Sequence, residues 1–118
     1  MTMGHRERVI KTLRHEDPDR VPLDLGGTDY STIHIEKYRE LKAHFGVEDE
    51  DTIAGKVLQT AIVHEPILQS LDIDFRYVVP GPPERSPGLP VSEDSFRDKW
   101  GVLWRKPPGS LYHDVESP

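Results

Sequence analysis

The sequence predicts a mixed α and β fold organised in βα steps, and three observations predict it. An alternating apolar segment, "RVPLDLGG" at residues 20–27, runs into two glycines and then into a helical pattern, "IEKYRELKAHFG" at 35–46. Strand, glycine turn and helix in that order are half of a βαβ unit. A second β-rich stretch, "DFRYVV", occupies 74–79. Toward the C-terminus, "FRDKWGVLWRK" and "SLYHDV" read as two strands joined by "PPGS", a hairpin.

The elements follow in order. Residues 4–16 place Val9, Ile10 and Leu13 at helical spacing among charges, which predicts a short amphipathic helix. Asp17 precedes Pro18 and is pushed out of the α region, so the helix stops there. In residues 21–25, Val21, Leu23 and Leu25 point one way while Pro22 and Asp24 point the other, as in a strand. Pro22 belongs at its first turn or on an unpaired edge. The next helix buries Ile35, Tyr38, Leu41 and Phe45 on one face and stops at Gly46. The acidic run at 48–51 reads as a solvated connection. Residues 53–63 are ambiguous between helix and strand, and "EPILQSL" at 65–71 reads as a short helix with Pro66 in its first turn. Five prolines crowd residues 80–90, where no regular helix can run.

Composition narrows the function classes. Hydrophobic residues are 35% of the 118, so the core is modest. The net charge of −6 argues against a nucleic-acid backbone binder and against an anionic membrane surface. With no cysteine there is neither a disulfide framework nor a thiolate metal site. The first 30 residues lack an apolar signal-like region, and no stretch reaches the roughly 20 apolar residues of a membrane span. A cytoplasmic chain is the expectation.

Candidate chemistry gathers after the first predicted strand. Asp24 sits at its carboxyl end, where α/β folds bind ligands, and the glycines after it let backbone approach a ligand closely. Thr28 and Ser31 offer hydroxyl donors, and His34 lies beside the same mouth; Asp24, Thr28, Ser31 and His34 are the candidate substrate-binding residues. The bland alternative is a tight turn capped by Asp24. "GGTDYS" matches neither a dinucleotide fingerprint nor a P-loop, and none of the six histidines lies in an HxH or HExxH pattern. No metal site and no catalytic residue is assigned. Asp74 and Arg76 fall on one face and read as a local ion pair. Trp100, Val102 and Trp104 read as a packing stripe.

"RERVIKTLRHEDPDRVPLDLGGT", "IHIEKYRELKAHFG", "LDIDFRYVVPGPP" and "DKWGVLWRKPPGSLYHDVESP", in this order, resemble the N-terminal part of the uroporphyrinogen decarboxylase superfamily over nearly the whole chain. The "RHEDPDRVP" opening and the "DKWG" turn carry most of the likeness, which is strongest to the branch of corrinoid-linked methyltransferases. The resemblance implies an α/β chain that is the N-terminal part of a (β/α)₈ TIM barrel with a β-hairpin elaboration, incomplete on its own, since such barrels take roughly 250 residues. It divides the chain into an N-terminal helix (1–20), βα units (21–79), a Pro-rich loop (80–95) and a hairpin (96–118). In that branch a zinc held by one His and two Cys of later strands activates a thiol acceptor, and the methyl donor is a methyl-cobamide, so zinc and cobamide belong to a complete member and neither to this chain. The implied partners are a small-molecule substrate or a corrinoid protein, and a partner chain or self-association that completes the barrel. True decarboxylases follow the first strand with an arginine-rich "RQAGR" segment that binds substrate carboxylates and carry a later "FSD" catalytic aspartate. Here "LDLGGTDYSTIH" holds no arginine and "IDFRYVVP" does not match. The expected function is therefore a methyltransferase-like segment, inactive alone. The alternatives are uroporphyrinogen decarboxylation, or a non-enzymatic assembly module or subunit of a split enzyme.

Overall fold

The computed structural model describes residues 2–78 and 90–116. Three helices, α1 (His5–Leu13), α2 (Ile35–Phe45) and α3 (Glu65–Ser70), are joined by a two-stranded hairpin, β1 (Ile53–Gly55) and β2 (Thr60–Ala61). A four-stranded antiparallel meander follows, β3 (Pro90–Ser92), β4 (Ser95–Arg97), β5 (Leu103–Arg105) and β6 (Asp114–Val115).

α2 forms where its apolar spacing predicts. His34 caps it, its side chain accepting the Glu36 N–H, and Gly46 ends it at φ 65°, a left-handed conformation open to glycine. Its inner face delivers Ile35 and Tyr38 to a core completed by Ala61, Val63, Ile67, Leu68 and Ile73. Tyr38 is fully buried, and its hydroxyl accepts the His64 N–H at 2.8 Å, so the polar end of the ring is satisfied inside the core. The acidic run is more than a solvated connection: Asp51 accepts from Arg39 at 2.5 Å and from the buried Lys42 at 2.7 Å, tying the run to α2. Within residues 53–63, Ile53–Gly55 and Thr60–Ala61 are strand, with Lys56 to Gln59 turning between them.

α1 buries a charge in place of an apolar stripe. Leu13 is exposed, Val9 and Ile10 are half-buried, and the buried residue of the helix is Arg8. The helix ends at Leu13, short of the predicted residue 16, with Arg14 as its C-cap and His15 in the left-handed region.

The two segments expected as strands, 21–25 and 74–79, form no regular ladder over their described residues; Val79 lies outside them. Pro22 has no N–H to give, and Leu23 donates its N–H to the Asp74 side chain instead of a neighbouring backbone. The segments still lie side by side. The Asp74 N–H donates to the Leu23 carbonyl at 2.9 Å, a Cβ on Gly27 would stand 3.0 Å from the Phe75 Cβ, and the Tyr77 hydroxyl donates to Asp29. The partner numbers rise together, so the segments run in the same direction.

The C-terminal hairpin is subdivided. "FRDKWGVLWRK" is two strands, not one, because Gly101 at φ 82° turns the chain back between β4 and β5. "SLYHDV" contributes only Asp114–Val115 as strand. Phe96, Trp104 and Val115 oppose one another across three strands, whereas Trp100 lies at the turn, 80% exposed, so the predicted tryptophan stripe does not form. Of the Pro-rich loop predicted over 80–95, residues 80–89 lie outside the described residues, and Pro90–Ser92 and Ser95 are strand. The sheet meets the helical part where the His113 N–H donates to the Val57 carbonyl at 2.9 Å and where the Lys56 ammonium stands 5.4 Å from the centre of the Phe96 ring.

The Cα radius of gyration is 17.6 Å, against about 13.5 Å for a compact chain of this length. Val21, Val78 and Tyr30 are all more than 70% exposed. Ile67 is fully buried at the centre of the core. Ile67→Ala should lower unfolding free energy by about 2–5 kcal/mol, measured by urea denaturation.

Candidate functional site

The loop after residue 25 is closed by its own polar groups. Gly26 adopts φ 86°, and a Cβ there would stand 3.1 Å from the Val63 side chain. At Gly27 a Cβ would come within 2.5 Å of the Asp24 carboxylate, so the close approach of Asp24 requires glycine. Asp24 accepts the Gly27 N–H at 2.8 Å, the turn-capping role weighed against ligand binding. The Thr28 N–H donates to the Ser31 hydroxyl at 3.0 Å, the two hydroxyls are 3.1 Å apart, and the Ser31 N–H returns to the Thr28 hydroxyl at 3.2 Å.

Of the four predicted residues, Thr28 and Ser31 come together and Asp24 joins them through Gly27. His34 goes elsewhere. Its Nδ1 accepts the Glu36 N–H at 3.3 Å, so its Nε2 carries the proton and donates to the Leu111 carbonyl at 3.1 Å, with the ring set edge-on to Tyr112. An open hollow of about 320 Å³ lies at the carboxyl ends of the paired segments, lined by Gly27, Thr28, Asp29, Tyr30, Tyr77 and Val78. Only Thr28 of the predicted set lines it. Asp29, Tyr30 and Tyr77 were missed, although Tyr77 stands two residues beyond Phe75 and therefore shares its face on an extended chain. The hollow offers a hydroxyl, a carboxylate and two phenols to a polar ligand.

Behind this mouth lies a second constellation. The Asp74 side chain is completely buried and accepts four donors: Arg8 at 2.5 Å, Arg20 at 2.7 Å, His5 Nδ1–H at 2.8 Å and the Leu23 N–H at 2.8 Å. Burial alone pushes this carboxyl up, and the bonds from Leu23, His5, Arg20 and Arg8 outweigh it, holding it well below the usual carboxylate range. Arg8 also grips Asp19 with two nitrogens, at 2.6 and 3.0 Å, and that bond, against the opposing pull of burial, keeps its guanidinium charged. Arg20 reaches Asp72 at 2.6 Å. Asp74 and Arg76 are not a pair: Arg76 turns to Glu65, at 2.8 and 3.0 Å, because Arg8 and Arg20 already fill the Asp74 oxygens. With no oxygen left for a ligand, this cluster is an anchor. Among the described residues no group of His, Asp and Glu has the geometry of a metal site.

Comparison with family models, with curated proteins and with solved structures returned no match. No helix of the described residues is long and apolar enough to cross a membrane.

Asp74→Asn should lower stability by about 1–3 kcal/mol, because a neutral amide with one oxygen replaces the two buried oxygens that Arg8, Arg20, His5 and the Leu23 N–H bond, while Arg8 and Arg20 keep Asp19 and Asp72. The pH dependence follows from the depressed carboxyl. Its stabilisation is complete above the unfolded-state value near pH 4 and is lost as the pH falls below it. Acid titration of the folded signal should therefore be shallower for Asp74→Asn than for the parent. Asp24→Asn keeps an oxygen for the Gly27 N–H and should change stability by less than about 0.5 kcal/mol in the same denaturation experiment.

Proposed function

We propose that residues 1–118 are the N-terminal segment of a protein of the uroporphyrinogen decarboxylase superfamily, in its methyl-cobamide-dependent methyltransferase-like branch, and that the segment is inactive alone. The observation that carries this reading is the side-by-side, same-direction course of residues 21–25 and 74–78, with α2 between them in sequence and the glycine loop at the carboxyl end of the first. Neighbouring strands of a parallel βα sheet have this relation, and their carboxyl ends are where such sheets bind ligands. The hollow at Thr28, Asp29 and Tyr77 lies at those ends and would contribute polar contacts to a substrate.

Two features favour the methyltransferase-like branch over porphyrinogen decarboxylation. Residues 23–34 contain no arginine, and Arg8 and Arg20 spend their charge on Asp19, Asp72 and Asp74. Among the described residues that line this mouth there is no cation for an acidic tetrapyrrole. Asp74 is also saturated and so could not serve as a proton donor beside Asp24. Zinc does not fit the residues of this chain, which has no cysteine to supply a thiolate, and no step through the metal is assigned to it. The exposed Val21 and Val78 support a second reading, that the segment is the assembly partner of another chain.

Sequencing beyond the codon for Pro118 tests the assignment. The expected result is a continuing or neighbouring frame with further βα units, one histidine and a cysteine pair. The completed protein should consume methylcobalamin in the presence of a thiol, followed by its absorbance. Decarboxylation of uroporphyrinogen without methyl transfer would overturn the branch assignment, and frames without a barrel pattern would overturn the superfamily assignment. The isolated segment should self-associate or show weak amide protection at residues 21–25; a compact, well-protected monomer would contradict the incomplete-barrel reading.

A further inference from the structure

The helical part, residues 2–78, and the meander, residues 90–116, meet along a seam. The apolar core does not cross it, since every residue of that core lies at or before Ile73. Among the described residues no ion pair crosses it either; each lies within residues 5–76 or within residues 105–116. Two hydrogen bonds do cross among the described residues, and each belongs to a histidine. The His34 Nε2–H donates to the Leu111 carbonyl at 3.1 Å, and the His113 N–H donates to the Val57 carbonyl at 2.9 Å. A hydrogen bond nets little against the water it displaces, so a seam held this way opens when one ring becomes costly to bury.

His113 is that ring. It is half-buried and stands edge-on to Phe96 of β4, with ring centres 5.2 Å apart. The Lys56 ammonium, from the turn between β1 and β2, lies 5.4 Å from the same Phe96 ring centre. The His113 Nδ1 is shut off from solvent and has no hydrogen-bond partner among the described residues. The charged groups around it are Lys106 beyond β5, Asp94 and Glu93 in the turn between β3 and β4, and Lys56 across the seam. Burial holds the imidazole below its ordinary value and Lys106 adds to this, while the Lys56 carbonyl and Asp94 pull the other way without prevailing. A neutral ring therefore suits the closed seam. An imidazolium would bury a charge and present an N–H at Nδ1 with no acceptor to receive it. The Leu111 bond differs, because His34 keeps its Nε2–H in either charge state. Acid thus reaches the seam through His113.

We propose that the seam is a pH-sensitive joint with His113 as its sensor: the meander stays docked on the helical part while the ring is neutral and swings free when the ring takes a proton. The docked ring holds its proton less tightly than an exposed one. Docking is therefore fully stabilised above the exposed value of 6.5 and weakens as the pH falls below it. One linked proton changes the ratio of docked to released chains by at most about tenfold per pH unit. The Asp74 anchor gives way only below about pH 4, so the helical part keeps its fold while the meander moves. Release parts Phe96 from the Lys56–Gln59 turn, which meet across a hollow of about 230 Å³. The inference stands independently of the superfamily assignment.

The test follows imidazole resonances and backbone amide exchange of the full chain from about pH 8 to about pH 5. The His113 ring should titrate below 6.5. Protection of the His113 amide, corrected for the intrinsic effect of pH on exchange, should fall by up to about tenfold per pH unit below that value. The amides of Ala61 and Ile67, bonded to the Ile33 and His64 carbonyls, should keep their protection. His113→Gln cannot take up a proton and should abolish the pH dependence. His34→Gln should loosen the seam at every pH and retain it. Titration of the His113 ring at or above the exposed value would overturn the proposal, as would a pH dependence that survives in His113→Gln. Loss of Ala61 and Ile67 protection over the same range would mean global unfolding and would also overturn it. If His113→Gln itself lacks core protection, the ring titration and amide exchange of the parent chain decide.

Discussion

The buried carboxylate of Asp74 is the constraint on which the arrangement of the N-terminal half depends. Three separate stretches supply its donors: α1 through His5 and Arg8, the segment after it through Arg20, and the extended residues beyond through the Leu23 N–H. A carboxylate removed from water is tolerable only when its lone pairs are filled. Each donor is therefore held by a requirement that no apolar contact of similar size would impose, since apolar packing tolerates sliding and a filled carboxylate does not. The helix that carries Arg8 keeps Leu13 in solvent, so charge, not an apolar stripe, specifies where α1 sits.

This explains what could be read from the sequence and what could not. α2 was legible because periodicity and its glycine stop are local properties of residues 35–46. α3 was legible because Pro66 marks a helix start. α1 was legible as a helix and wrong in its buried face, because the partners of Arg8 lie 11 and 66 residues away and no spacing rule reports them. Alternation marked residues 21–25 and 74–79 as strands, and neither forms a ladder over its described residues, since nothing local shows that Leu23 gives its N–H to a side chain. At the mouth, only Thr28 of the four expected residues lines the hollow, and Ser31 bonds back to Thr28. Asp29 and Tyr77 were missed because their meeting depends on two distant segments running together. The assignment of Trp100 to a packing stripe failed at Gly101, a turn hidden inside what reads as one continuous strand.

The functional reading rests on a different footing from the fold. The proposed reaction class comes from the resemblance alone, whereas the structure describes two segments that run in the same direction, a glycine loop at the end of the first, and a hollow with polar walls. Arg8 and Arg20, the two arginines that reach Asp74, are paired with aspartates. Exposed valines at residues 21 and 78 leave an apolar margin of the kind that further strands or another chain would cover.

His34 carries a consequence of its own. One imidazole accepts from the start of α2 and donates to the carbonyl of Leu111, in the loop between β5 and β6. A neutral ring has a single proton, so the two bonds demand opposite roles of its nitrogens and are met together by one tautomer. The ring thus works as a hinge pin: swing the meander away and the helix cap loses the partner that fixes its orientation. Separating the meander from α2 would break the Leu111 bond and leave the imidazole held only by the Glu36 N–H.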